Sequence, residues 1–185
     1  MKSLSFIFQY LLNPRKTGAV LPSSTYLAEK MVHSIDFKNA KYIVELGPGT
    51  GVFTDQIMKN KMQHTVVLLI ESNTDFCTLL KEKYKDEKNL IIINGSAEEI
   101  NKYSKICNIP YVDYVVSGLP FASLPKDVSN TILNNTKKLL RKDGVFITFQ
   151  YTLLKKDFIH HYFKHIDITR EYRNMPPAYV FQCCN

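Results

Sequence analysis

The chain has 185 residues, 45% of them apolar, with 24 Lys and Arg against 17 Asp and Glu for a net charge of +7. That length suits one globular domain with a core that needs no disulfides or metals, and the basic excess suits an anionic partner such as nucleic acid or a phospholipid surface, or simply a solvated face. Four cysteines without C-x-x-C spacing, no apolar run longer than Val66 to Ile70, and no small-residue cleavage site behind the N-terminal apolar part argue against a zinc site, a disulfide framework, a membrane span and secretion, and point to a reducing cytoplasm.

The N-terminal arm comes first. Leu4, Ile7, Phe8, Leu11 and Leu12 recur at helical spacing, Phe6 and Tyr10 widen the stripe, Lys2, Arg15 and Lys16 flank it, and no acid precedes Glu29. Two placements fit: a helix lying in the headgroup region of an anionic membrane, or a helix packed on the following domain.

Apolar runs of strand length then alternate with helical patterns. Strands are expected at 42–46, 65–70, 89–94, 111–117 and 144–151, and helices at about 52–61, 73–84, 97–104, 126–141 and 155–164. Strands apolar on both faces, separated by helices, predict a parallel α/β sheet covered on both sides. Two more extended stretches, 166–173 and 178–184, have no helix between them and predict an antiparallel hairpin at one edge. The chain reads as one domain over 26–185 with an arm over 1–25.

Three turns at carboxyl ends of the expected parallel strands carry the chemistry, because open α/β sheets bind ligands there. The first is Val44-Glu45-Leu46-Gly47-Pro48-Gly49-Thr50-Gly51, whose glycines let the backbone approach a ligand closely; a tight strand-helix connector has the same composition. It is neither the G-x-G-x-x-G fingerprint nor a P-loop. The second is Glu71-Ser72, where an acid ending the second strand can accept both hydroxyl hydrogens of a ribose or simply open the next helix. The third is Asn94-Gly95-Ser96-Ala97, a small turn with a hydroxyl that can edge an adenine ring.

In order and spacing these turns, together with Ser117-Gly118-Leu119-Pro120-Phe121, resemble the class I S-adenosylmethionine-dependent methyltransferases over nearly the whole chain. The resemblance implies a Rossmann-like, mostly parallel seven-stranded sheet and S-adenosyl-L-methionine as cofactor. It implies that Glu45, Gly47, Pro48, Gly49 and Gly51 face the methionine and ribose part, that Glu71 and Ser72 meet the ribose, and that Ser96 and Ala97 contact adenine. Ser117, Gly118 and Leu119 would close the methyl side. The family usually has Asp where this chain has Ser96, which weakens the grip on the adenine amino group.

Methyl transfer is an in-line displacement, so the protein must hold a lone pair against the methyl carbon. In the adenine-N6 ribosomal RNA methyltransferases the fourth-strand motif reads Asn-Leu-Pro-Tyr or Asn-Ile-Pro-Phe; Gly118 here lacks the side-chain carbonyl that accepts an adenine amino hydrogen. Those enzymes also carry a C-terminal helical RNA domain, for which 185 residues leave no room. A closer resemblance is to the small bacterial phospholipid N-methyltransferases, through the segments at 13–24, 44–54, 117–121 and 173–181. It implies N-methylation of a phosphatidylethanolamine-type headgroup by an enzyme held peripherally on the cytoplasmic membrane face, with no nucleic acid as partner. Thr17 and Ala19 then belong to a cofactor lid hinged near Asn13-Pro14.

Phe121, Tyr151 and Tyr179 are candidates for an aromatic cage around the ammonium group or, equally, ordinary core and edge aromatics. Tyr151 is a candidate proton acceptor, Ser117 and Phe121 stand beside the reacting atoms, and Lys16, Arg170 and Arg173 are candidates for the lipid phosphate. From residue 137 to 185 nine Lys and Arg face four Asp and Glu, a local balance of +5 that suits phosphates. The five histidines match no ligand spacing. Two other readings remain: an RNA adenine methyltransferase without its accessory domain, and a non-catalytic module that binds cofactor or membrane.

Overall fold

The computed structural model describes residues 24–185. The arm and lid positions Lys16, Thr17 and Ala19 lie outside the described residues. In chain order the elements are α1 (Thr25–Val32), β1 (Tyr42–Leu46), α2 (Val52–Asn60), β2 (Val66–Glu71), α3 (Thr74–Lys83), β3 (Leu90–Asn94), a 3-10 turn (Ala97–Glu99), α4 (Ile100–Ile106), β4 (Val112–Ser117), α5 (Lys126–Leu139), β5 (Leu140–Gln150), α6 (Lys156–His160), β6 (His165–Glu171) and β7 (Ala178–Cys184). The strands form one sheet in the order β3-β2-β1-β4-β5-β7-β6. β1 to β5 run parallel, and β7 is antiparallel to both β5 and β6. The Rossmann-like fold and the antiparallel edge agree with the sequence reading.

Alternation along each strand sends side chains to two cores. Val44, Leu46, Val115 and Phe146 face a layer with Ile132, Leu133 and Phe163, while Ile43, Val67, Leu69, Val116 and Ile147 face Leu27, Met31, Phe53 and Ile57. Both faces are buried, which is why the strands read as continuous apolar runs. The order reverses between β1 and β4, opening a crevice at their carboxyl ends.

Several boundaries depart from the sequence expectation, three of them by a whole element or by four residues. Helix α1 has no counterpart in it, although Leu27, Ala28, Met31 and Val32 make a buried helical face and Ser24 Oγ accepts from Leu27 N as an N-cap. Eight residues give too little periodicity to stand out beside the longer arm stripe. Strand β5 starts at Leu140 rather than 144, because Arg141 reaches Asp113 (Nε to Oδ1 3.0 Å) where the β4 register shifts. Helix α6 covers Lys156–His160, four residues short of the expected end, and β6 begins at His165.

Candidate active site

The glycine loop leaves β1 with Gly47 at φ 66°, a conformation that glycine adopts without steric cost. Glu71, ending β2, is 4% exposed, and both its oxygens accept backbone amides: Gly49 N at 3.0 Å and Asn73 N at 2.8 Å. Each carboxylate oxygen keeps a second lone pair, so the acid that fixes the loop can still accept a ligand hydroxyl. Among the described residues it has no ion-pair partner.

Glu45 lies under the same loop and is fully buried. Thr54 Oγ1 donates to its Oε2 at 2.7 Å, while Oε1 has no partner. Burial pushes its carboxyl up from 4.5 to about 8, against the Thr54 hydrogen bond. A buried carboxyl oxygen left without a partner is costly.

A cavity of about 320 Å³ opens beside these groups. Its lining brings together the expected Gly47, Ser72, Ser96, Ala97 and Leu119. It also includes Glu98 and Asp127, two acids that the sequence reading overlooked; an acid two places beyond the Ser96 turn was the available signal. Ser96 Oγ is spent on local order, accepting from Glu98 N and lying 3.2 Å from Glu98 Oε2. A carboxylate, that of Glu98, thus lines the cavity beside the Ser96 turn. Asn135 on α5 donates to Glu98 O at 2.7 Å and pins the turn to the cavity wall.

The close approach of β4 to the loop fixes Gly118. A Cβ there would sit 2.7 Å from Gly47 O, so a side chain at 118 presses on the cofactor loop rather than into an acceptor channel. Ser117 is wholly buried, and its Oγ accepts from Leu119 N at 3.3 Å. It shapes the turn and does not face an open acceptor site, which corrects its expected catalytic placement.

The three-ring cage does not assemble. Phe121 is fully buried and packs edge-to-face on Phe146, because the turn after Pro120 returns the chain to the core. Tyr179 packs against that same layer and has the Arg170 guanidinium 5.0 Å from its ring centre. Tyr151 packs against the opposite layer, edge-to-face on Phe149 at 5.5 Å. Arg173 is not free for a phosphate: its Nε donates to Glu171 Oε1 at 2.9 Å, and its guanidinium lies 4.2 Å from the Tyr26 ring centre. That pairing holds the 3%-exposed Glu171 carboxyl down at about 2. Arg170 is exposed at the carboxyl end of β6.

Two polar groups at the carboxyl end of β5 escaped the sequence reading. Thr148, beside Ser117 in register, and Gln150, beside Tyr179, are 0% and 3% exposed, yet Thr148 Oγ1 and Gln150 Nε2 have no partner. Polar residues at core-facing positions of an otherwise apolar strand were the signal.

Residues 16–163 match the family model described as ribosomal RNA adenine dimethylase. The chain belongs to that family. It is an S-adenosylmethionine-dependent methyltransferase. It is 29% identical over 180 residues to an ornithine lipid N-methyltransferase of Singulisphaera acidiphila, covering 96% of this chain and 93% of that protein. It is 26% identical over 133 residues to ribosomal RNA small subunit methyltransferase A of Hydrogenobaculum sp., covering 70% of this chain but only 52% of that protein. The fold is shared with a precorrin 8w decarboxylase of Methanobacterium thermoautotrophicum, at 18% identity and TM-score 0.66 over 90% of this chain and 94% of that one.

The residues fit the methyl donor of this family. Glu71 and the loop amides suit its ribose, Glu98 beside the Ser96 turn and Asp127 on α5 across the cavity suit an adenine amino group, and the buried Glu45 carboxyl keeps Oε1 without a partner behind the loop. When bound, S-adenosylmethionine supplies a methyl group on a sulfonium, open to in-line attack by a lone pair.

Proposed function

We propose that the protein N-methylates the amino headgroup of a membrane lipid, of phosphatidylethanolamine type, while held peripherally at the inner face of the cell membrane. The observation that carries this reading is Gly118. An RNA adenine methyltransferase of the related kind uses an asparagine amide at this turn to hold the adenine amino group; here the position has no side chain, and a Cβ would meet Gly47 O at 2.7 Å. A lipid amine needs no base-reading amide. The end-to-end similarity to a lipid N-methyltransferase supports the same reading, whereas the chain spans about half of the RNA relative named above. The lipid relative's name favours a second acceptor, the amine of an ornithine lipid.

At neutral pH the lipid amine arrives protonated and must lose a proton to expose its lone pair. Tyr151, half-buried just beyond the end of β5, is the proposed acceptor, directly or through water. Arg170 is the proposed partner of a lipid phosphate. The nitrogen gains the methyl carbon as the carbon–sulfur bond breaks, and the ammonium proton leaves to the acceptor. The test is incubation with methyl-labelled S-adenosylmethionine and a whole-cell extract, followed by separation of lipid, RNA and protein. Label in lipids migrating as methylated amino headgroups is expected; label confined to RNA sinks the proposal.

A further inference from the structure

Large apolar side chains left in water are unevenly placed on the described residues. Met62, Leu79 and Ile106 stand singly elsewhere, but Tyr26, Leu153, Leu154, Tyr172 and Met175 gather at one end of the sheet. Leu154 is 85% exposed, Met175 73% and Tyr172 71%. Gln150, Tyr179 and Arg170 lie side by side on β5, β7 and β6, so segments 151–155 and 172–177 leave the sheet at the same end, two strand spacings apart, or about 10 Å. That end carries the cofactor loops.

Cations frame these side chains. The Arg170 guanidinium lies 4.9 Å from the Tyr172 ring centre, and Lys155 Nζ lies 5.2 Å from that of Phe158, with Lys156 next in sequence. The acids nearby are Glu29, Asp157 and Glu171, and Glu171 is already held by Arg173 and by Lys30 at 3.6 Å. The balance over Lys30, Lys155, Lys156, Arg170 and Arg173 stays positive. Exposed aliphatic and aromatic tips beside cations that rest on rings make the composition of a surface that enters a headgroup layer.

The chain also enters the described structure here. Ser24 N donates to Asn174 Oδ1 at 2.9 Å, and Arg173 covers Tyr26. The described residues therefore begin at the same rim.

We propose that this rim is the face that docks on an anionic phospholipid bilayer, with Leu153, Leu154, Tyr172 and Met175 entering the headgroup boundary and Arg170, Lys155 and Lys156 meeting lipid phosphates. The inference rests on the lipid reading of the active site and adds the orientation: the cofactor end of the sheet faces the membrane, so a headgroup reaches the site without the lipid leaving the bilayer.

The chain contains no tryptophan, so one introduced indole reports its own surroundings. Full-length Leu154→Trp, Met175→Trp and Ile106→Trp are mixed with phosphatidylcholine vesicles containing phosphatidylglycerol and phosphatidylethanolamine. The first two should shift to the blue and gain protection from acrylamide, while Ile106→Trp does not change. Co-sedimentation of the double variant Leu154→Glu, Met175→Glu should fall by about tenfold or more. Unchanged emission at 154 and 175 overturns the proposal, as does emission already blue without vesicles, which would mean that the arm covers the rim. A shift caused by single-stranded RNA and not by vesicles would assign the rim to nucleic acid. Methyl transfer to phosphatidylethanolamine in the same vesicles separates the two claims. Docking without lipid methylation sinks the functional reading alone; lipid methylation with silent indoles sinks the rim alone.

Discussion

Two buried acids at opposite ends of the sheet show how the fold separates structure from function. Asp113, near the amino end of β4, is 1% exposed; its Oδ2 accepts Lys41 N and Tyr42 N at 2.8 Å each, and Arg141 pairs with its Oδ1. Glu71, at the carboxyl end of β2, is 4% exposed and likewise takes two backbone amides, but no cation pairs with it among the described residues. The closed end cancels its charge with a side chain. The open end leaves lone pairs for a ligand, while Glu45 beneath the loop is held by the Thr54 hydroxyl instead of by amides. An acid held by amides alone is preorganised without being consumed.

The sharpest way to break this contrast is to truncate both acids. Asp113→Ala strands two amides and Arg141 and should cost about 3 kcal/mol of stability in denaturant titrations, with cofactor affinity unchanged. Glu71→Ala should weaken S-adenosylmethionine binding by ten- to a hundredfold, or about 1.5–3 kcal/mol, in calorimetry. Equal affinities for Glu71→Ala and wild type would remove the contrast.

Glu45 sharpens it through pH. Its folded-state pKa, about 8, lies above its ordinary 4.5, so the folded protein holds this proton more tightly than the unfolded chain. Stability from this group is fully present below the ordinary value and is lost as pH rises toward about 8. Thermal melts of the wild type should therefore fall across that window, and Glu45→Gln, which keeps the shape without the charge, should flatten the loss by about 2–3 kcal/mol.

Gly118→Asn tests whether the RNA-type turn can be restored. With its Cβ 2.7 Å from Gly47 O, it should cost about 2 kcal/mol of stability, weaken cofactor binding and confer no activity on adenine. A stable Gly118→Asn protein that methylates RNA would contradict the proposed function. The smallest effect is expected at the edge hairpin: Arg173→Ala should cost about 1 kcal/mol near neutral pH, since its pair with Glu171 is largely exposed on the arginine side. Because Glu171 is held at about 2, that contribution is present above its ordinary 4.5 and lost as pH falls toward about 2.

The sheet and its cofactor turns were legible because buried parallel strands are continuous apolar runs, and because Gly47, Glu71 and Ser96 belong to segments whose chemistry is local. The acceptor side was not. Phe121, Tyr151 and Tyr179 look alike in sequence, yet one fills the core, one packs on each layer, and only register assigns them. Arg173 carries the charge of a phosphate ligand, but its partner Glu171 is found only when the hairpin folds. Thr148 and Gln150 became visible when burial showed that their side-chain atoms were unpaired. Sequence separates ligand-facing polar groups from packed ones when the backbone holds them, and fails when distant side chains decide.

The most direct test of the central claim is a competition in one tube. Purified protein and methyl-labelled S-adenosylmethionine would be offered vesicles containing phosphatidylethanolamine and ornithine lipid together with small-subunit ribosomal RNA, and the labelled molecule identified by mass spectrometry. The account predicts methyl groups on a lipid amine and none on adenine. Label on the N6 of adenine, with both lipids unmodified, would contradict it.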